Sequence, residues 1–184
     1  VCTGRNLVIL DCLGSMCMSM RDVCIGRSFG YCIDKASLIA ATIVQATNAD
    51  VIRFGSHAQY AEGMNGRNLF EYSQYLRRAN MGGTNLATAF NLITDSGKEY
   101  DRIFILSDNE CNSGYQARAY ANYIRRVNSP YIYSVDLASY GTTPLKNTEK
   151  VAYFYGFGYG FFESIKSKEF RPEDHLEKVR KIVI

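Results

Sequence analysis

The chain has 184 residues, of which 47% are apolar, and its formal net charge at pH 7 is +3. That length suffices for one domain with a complete core, so we expect a single domain over residues 1–184. The small net charge gives no electrostatic argument for a nucleic-acid protein. No apolar run approaches the roughly 18 residues of a membrane helix.

The cysteines and histidines bear on redox environment and zinc binding. The six cysteines are Cys2, Cys12, Cys17, Cys24, Cys32 and Cys111. No pair has Cys-x-x-Cys spacing, and His57 and His175 lie far from the cysteine-rich segment, so structural zinc is not favoured. A domain of this size does not need disulfides to fold, and we expect free thiols in a reducing, cytoplasmic location.

The first half of the chain predicts strands separated by a helix. Residues 7–10 are an unbroken apolar run, typical of a strand buried on both faces. A long loop follows at about 12–33. The next element is a helix over 34–46, which starts at an aspartate cap. A short strand at 50–54 and a weaker one near 58–61 come next.

The second half continues the alternation. A helix at 69–79 leads into the sharp loop Gly-Gly-Thr-Asn at 82–85, where Thr84 or Asn85 caps the next helix, at 86–94. The later elements are strands at 101–108, 131–136 and 151–155 and helices at 116–127, 161–166 and 173–183. Strands that alternate with helices predict a doubly wound, Rossmann-like α/β domain, with helices on both faces of one mainly parallel sheet.

Three loops meet at one edge of that predicted sheet. They carry Asp11 with Ser15, then Thr84, then Asp108. Open α/β folds bind their ligands at this edge, and oxygen donors without thiolate or imidazole suit Mg²⁺ or Mn²⁺. The alternative, that these side chains only cap their own loops, stays open at this point.

This set of residues resembles the von Willebrand factor A domain. The family has Asp-x-Ser-x-Ser after its first strand, then a Thr and an Asp in later loops, which together form a metal-ion-dependent adhesion site. Asp11, Ser15, Thr84 and Asp108 match that pattern, while Leu13 stands where the family has its first Ser. The resemblance implies a non-catalytic binding domain with a magnesium site, which Leu13 either weakens or abolishes.

A narrower resemblance is to the A domain of the Ro/TROVE family of RNA-binding proteins. It is carried by Ser-Asp-Asn-Glu at 107–110 and by Gly-Gly-Thr at 82–84. It implies that noncoding or misfolded RNA is the partner, with Asn109 and Glu110 at the rim of the site. Because the chain begins with Val1 rather than Met, we expect an excised or processed chain. A helical-repeat domain of the same protein would then be a further partner.

Arginines offer further contacts for such a partner. Arg21 and Arg27 belong to the long loop beside the predicted metal edge and would meet phosphates there. The alternative is that this loop is simply exposed. The arginine pairs at 77–78 and 125–126 lie on predicted helices and indicate solvated faces.

The favoured function is therefore RNA binding by a Ro-like domain, without catalysis. Two alternatives remain at this stage. One is a protein-interaction domain whose metal binds a partner's carboxylate, and the other is a structural domain with a degenerate metal site. Asp11 and Asp108 as an acid–base pair for hydrolysis are less favoured in this setting.

Overall fold

The structure is a computed structural model that describes residues 4–14, 16, 19–21, 28–79, 81–108, 114–138, 143–146, 148–155 and 160–169. Its strands are β1 (Asn6–Asp11), β2 (Ser19–Arg21), β3 (Ser28–Tyr31), β4 (Asp50–Phe54), β5 (Ala58–Tyr60), β6 (Arg102–Ser107), β7 (Tyr131–Asp136) and β8 (Val151–Tyr155). Its helices are α1 (Cys32–Thr47), α2 (Leu69–Arg77), α3 (Leu86–Ser96), α4 (Tyr115–Arg126) and α5 (Phe161–Glu169).

One main sheet organises the described part of the chain. Its strand order is β5-β4-β1-β6-β7-β8. Neighbouring strands are parallel throughout, except that β5 pairs antiparallel with β4 at one edge. The chain leaves β1 toward β4 and later returns to β1's other side as β6. This reversal marks the crevice at the carboxyl ends of β1 and β6 where doubly wound folds bind ligands.

Helices cover both faces of the sheet, and β1 lies between them. All six residues of β1 are buried. Val8 and Leu10 pack into the core that includes side chains of α1, α2 and α5. Leu7 and Ile9 point to the other face and pack into the core that includes α3 and α4. The predicted doubly wound α/β architecture is confirmed.

The segment between β1 and α1 differs from its prediction. Residues 12–33 were expected to be one loop, but β2 and β3 form an antiparallel pair within it. The helix α1 begins at Cys32, so Asp34 lies in its first turn and is not its cap. There the Asp34 carboxylate accepts a hydrogen bond from the backbone N–H of Tyr31 at 3.2 Å. The helix begins two residues earlier than predicted because Cys32 and Ile33 are buried against the core.

The later elements follow the predicted order, with helix ends shifted by a few residues. The helix expected at 173–183 and the glycines at 156 and 158 lie outside the described residues. No helix in the described part combines the length and apolar character that a bilayer crossing requires.

The loop that follows α2 is fastened to the ends of β1 and β4. The backbone carbonyl of Met81 accepts hydrogen bonds from the backbone N–H and the hydroxyl of Ser56, both at 2.8 Å. The N–H of Met81 donates to the carbonyl of Cys12 at 3.3 Å, and Asn85 donates to Gly55 at 3.0 Å. Segment 81–85 is therefore held at the carboxyl edge of the sheet.

This fastening requires a glycine at position 55. A Cβ atom there would overlap the backbone carbonyl of Met81. We expect Gly55→Ala to lower the free energy of unfolding by about 1–3 kcal/mol, because the loop must shift to relieve the overlap. Chemical denaturation measures the change. Gly63→Ala is the matched control, since its Cβ would meet only Asn65, at 3.6 Å; an equal loss in both variants would contradict this account.

Candidate metal-binding edge of the sheet

Three adjacent strands end in buried carboxylates at one edge. Asp11 is the last residue of β1, Asp108 directly follows β6, and Asp136 is the last residue of β7. None of the three is more than 1% exposed. A buried carboxylate is costly unless hydrogen bonds or cations compensate for its lost hydration. The question at each position is therefore what holds the charge.

Asp11 accepts hydrogen bonds from at least two neighbouring groups. Its Oδ1 accepts the backbone N–H of Leu13 at 3.1 Å, which is the loop-capping bond that the alternative interpretation requires. Its Oδ2 accepts the hydroxyl of Ser107, on the adjacent strand β6, at 2.7 Å. The two bonds fix the orientation of the carboxylate across the switch point between β1 and β6.

Thr84 lies in the fastened segment 81–85 and is half-buried. The side chain of Asn85 caps α3 by accepting the backbone N–H of Ala87 at 3.2 Å. Capping therefore falls to Asn85 and not to Thr84. The Thr84 hydroxyl forms no hydrogen bond with another described residue.

Ser107 and Asp136 belong to this edge but were not predicted as site residues. Both are buried, and they are paired in the register of β6 and β7. Asp136 caps the loop after β7, because its Oδ1 accepts the N–H of Ala138 at 3.0 Å. Their signal in the sequence was their position at strand ends: Ser107 directly precedes Asp108, and Asp136 is the last residue of the next strand.

Leu13 has a packing role that explains its apolar side chain. It is half-buried and packs against the core on the α1 side of the sheet. The position that holds a Ser ligand in the von Willebrand A pattern therefore contributes to the core here. A water molecule would have to replace the missing oxygen in any metal site at this edge.

Several predicted site residues are not described. Ser15, Arg27, Asn109 and Glu110 lie outside the described residues, and only the backbone of Arg21 is described, at the end of β2. Their roles stay predictions.

The carboxylates at this edge affect the pKa of the Cys32 thiol. Burial raises the pKa of Cys32 above its usual value, and the negative charges of Asp108 and Asp136 raise it further. A buried thiol of this kind stays protonated and is a poor nucleophile or metal ligand. Cys12 and Cys32 form no disulfide within the described part of the chain.

The donors at this edge are oxygens. Within the described ranges, no three side chains of histidine, cysteine, aspartate or glutamate form a group that could hold an ion. The predicted site would combine carboxylates with hydroxyls. Asp11, Asp108 and Thr84 supply such hard oxygens, and this donor set fits Mg²⁺ or Mn²⁺ with water completing the coordination.

The hydrogen bond between Ser107 and Asp11 gives a testable expectation. We expect Ser107→Ala to lower the free energy of unfolding by about 1.5–3 kcal/mol, because a buried carboxylate oxygen loses a donor. Urea denaturation measures this. The control is Ser37→Ala, which removes another buried hydroxyl that donates only to a helix carbonyl, that of Asp34, at 3.2 Å. A smaller loss for Ser107→Ala than for the control would refute this role.

Comparison with known proteins shows which solved structures share this fold. No family model matches the chain, and no curated protein matches it in sequence. The Ro (RSR) protein of Deinococcus radiodurans superposes with a TM-score of 0.71 and 17% identity, over 90% of this chain and 34% of that protein. An aerotolerance-related membrane protein of Bacteroides fragilis superposes with a TM-score of 0.52 and 16% identity, over 71% of this chain and 66% of that one.

These likenesses establish the fold and not the chemistry of the site. The chain has the mostly parallel, six-stranded α/β architecture of von Willebrand A type. It spans about a third of the length of the Ro protein that it resembles.

Proposed function

We propose that this chain is a non-catalytic binding domain that holds Mg²⁺ at the carboxyl edge of its sheet and through it binds a phosphate of RNA. Asp11, Ser15, Thr84 and Asp108 would hold the ion. The bound ion would supply a positive charge that an anionic ligand can share. The strongest support is that Asp11 and Asp108 are both buried where the neighbouring strands β1 and β6 end, at the switch point of the sheet.

The choice of RNA rests on the Ro-like motifs at 82–84 and 107–110, together with the fold likeness to a Ro protein. In this proposal Asn109 and Glu110 form the rim, and the loop with Arg21 and Arg27 contacts further phosphates. Because the chain spans only about a third of that Ro protein, the helical-repeat partner would lie elsewhere in a longer protein or in another chain.

A second candidate is a structural domain whose metal site has decayed. Two observations favour it. Asp11 already accepts hydrogen bonds from Leu13 and Ser107, and the Leu13 side chain packs into the core instead of offering an oxygen. Metal binding decides between the two candidates.

The proposal predicts that RNA binding depends on the metal. We expect a labelled single-stranded RNA to bind the native chain more tightly with Mg²⁺ than with EDTA, and Asp108→Ala to abolish that difference. Fluorescence anisotropy measures the affinities. Asp95→Ala, which removes an exposed carboxylate of α3, is the charge-matched control.

Three outcomes would count against this proposal. Equal binding with Mg²⁺ and EDTA would refute the metal bridge. No RNA binding, but metal-dependent binding of an acidic peptide, would favour a protein carboxylate as the ligand. No binding of Mg²⁺ at all would favour the structural domain.

Leu13 allows a direct test of the metal site. We expect Leu13→Ser to bind Mg²⁺ more tightly than the native chain in calorimetry, because the hydroxyl restores a ligand that water must otherwise supply. Leu13→Ala is the matched control, since it removes the same core contacts without adding an oxygen. If the Ser and Ala variants bind Mg²⁺ equally, position 13 is not part of the site.

A further inference from the structure

A polar groove lies between α3 and α4, on the sheet face opposite α1. It is a cavity of about 610 Å³. Its α4 wall is formed mainly by Tyr115, Arg118, Asn122 and Arg125, which recur every three to four residues and so share one face of the helix. Asn91 of α3 contributes a further amide from the facing wall.

The groove is basic, because its described lining residues include two arginines and no carboxylate. The helix α4 contains three arginines and no acidic residue. Arg118 forms no ion pair within the described part of the chain, and Arg125 donates to the Asn122 side chain at 3.0 Å instead of to a carboxylate. Asp95, one helical turn beyond Asn91, does not line the groove. Within the described ranges no carboxylate lines the groove, so an external anion would meet two arginines there.

The groove also offers an aromatic surface. Tyr115 is 70% exposed, although it is a large side chain in the first turn of α4. Every nucleic-acid base has a π-face, so an exposed ring beside arginines is the combination that single-stranded nucleic acids use. The bases of a duplex are already stacked on one another and do not reach such a ring.

The position of the groove connects it to the candidate metal edge. Segment 81–85 leads directly into α3, and α4 is the next helix after β6 and Asp108. The Tyr115 end of the groove therefore lies toward the carboxyl edge of the sheet. Arg125 is ten residues further on, about 15 Å along the helix axis. That length accommodates roughly four nucleotides at a stacked spacing of about 3.4 Å.

We propose that the α3–α4 groove binds single-stranded RNA, with phosphates on Arg118 and Arg125 and a base stacked on Tyr115. This inference rests on the proposed function, because it extends the path of the same ligand away from the metal edge. The groove contacts do not need the metal. An acidic protein segment would use the arginines but would gain little from Tyr115, and so RNA is the better fit.

The test compares matched variants of the 184-residue chain. A labelled single-stranded oligouridine is titrated by fluorescence anisotropy at several salt concentrations, with Mg²⁺ and with EDTA. Arg118→Gln/Arg125→Gln should flatten the slope of log affinity against log salt by about 1.4, since each phosphate contact on a single strand adds about 0.7. Arg126→Gln/Lys146→Gln removes the same charge from exposed positions that do not line the groove, and it should change the slope much less.

A second pair of variants tests stacking. Tyr115→Ala should weaken binding about tenfold, within the range seen for loss of one stacked base. Phe70→Ala is the control, because Phe70 is 67% exposed and belongs to α2, away from the groove. Melting curves establish that each variant is folded.

The outcomes separate this inference from the proposed function. Binding that persists in EDTA and falls in the groove variants supports the groove even if the metal bridge fails. Binding that requires Mg²⁺ and Asp108 but is equal in the groove variants and their controls overturns the groove alone. Arginine-dependent binding of polyglutamate without RNA binding also overturns it, in favour of an acidic protein.

Discussion

Burial of β1 on both faces is the constraint on which the rest of the structure depends. A central strand without a solvent face needs a helical layer on each side, and the two cores meet at Leu7 to Leu10. The same burial brings the last residue of the strand, Asp11, out of contact with water. A charge in that position needs donors from its neighbours, and Ser107 with the Leu13 backbone provides them. The polar chemistry at the sheet edge thus follows from the apolar packing behind it.

The fold could be predicted from the sequence because its signals are local. The apolar run at 7–10, the alternation of strand and helix, and the apolar strand that leads into Asp108 are each encoded within a few residues, and they agree with one another. The pair β2 and β3 was missed because strands of three and four residues leave almost no periodicity. The start of α1 was misplaced because an aspartate in the first turn resembles a cap.

The site was predictable only in part, because its bonds cross between strands. Asp11 and Ser107 are 96 residues apart in the sequence. Their contact depends on β6 lying beside β1, and no local sequence pattern predicts that pairing. Asp136 was overlooked for the same reason, since its alignment with Ser107 depends on the register of β6 and β7. Thr84 was placed at this edge by the loop that carries it, but the sequence left open whether Thr84 or Asn85 caps α3; in the structure Asn85 does.

The low sequence identity to proteins of the same fold is consistent with this difference between the requirements of the core and those of the site. A core needs side chains of suitable size and apolar character, and many sequences satisfy that requirement. A site needs particular atoms at particular positions. At position 13 the requirements of the core and of the site compete, and in this chain the Leu13 side chain packs against the core.

The fastening of segment 81–85 has a consequence for the energetics of ligand capture. Its backbone bonds to Cys12, Gly55 and Ser56 order the loop before any ligand arrives. A ligand that engages Thr84 would therefore pay little conformational entropy for arranging that loop. A preorganised edge also requires no slow rearrangement on encounter, so differences in affinity among ligands should appear mainly in how long each one stays bound.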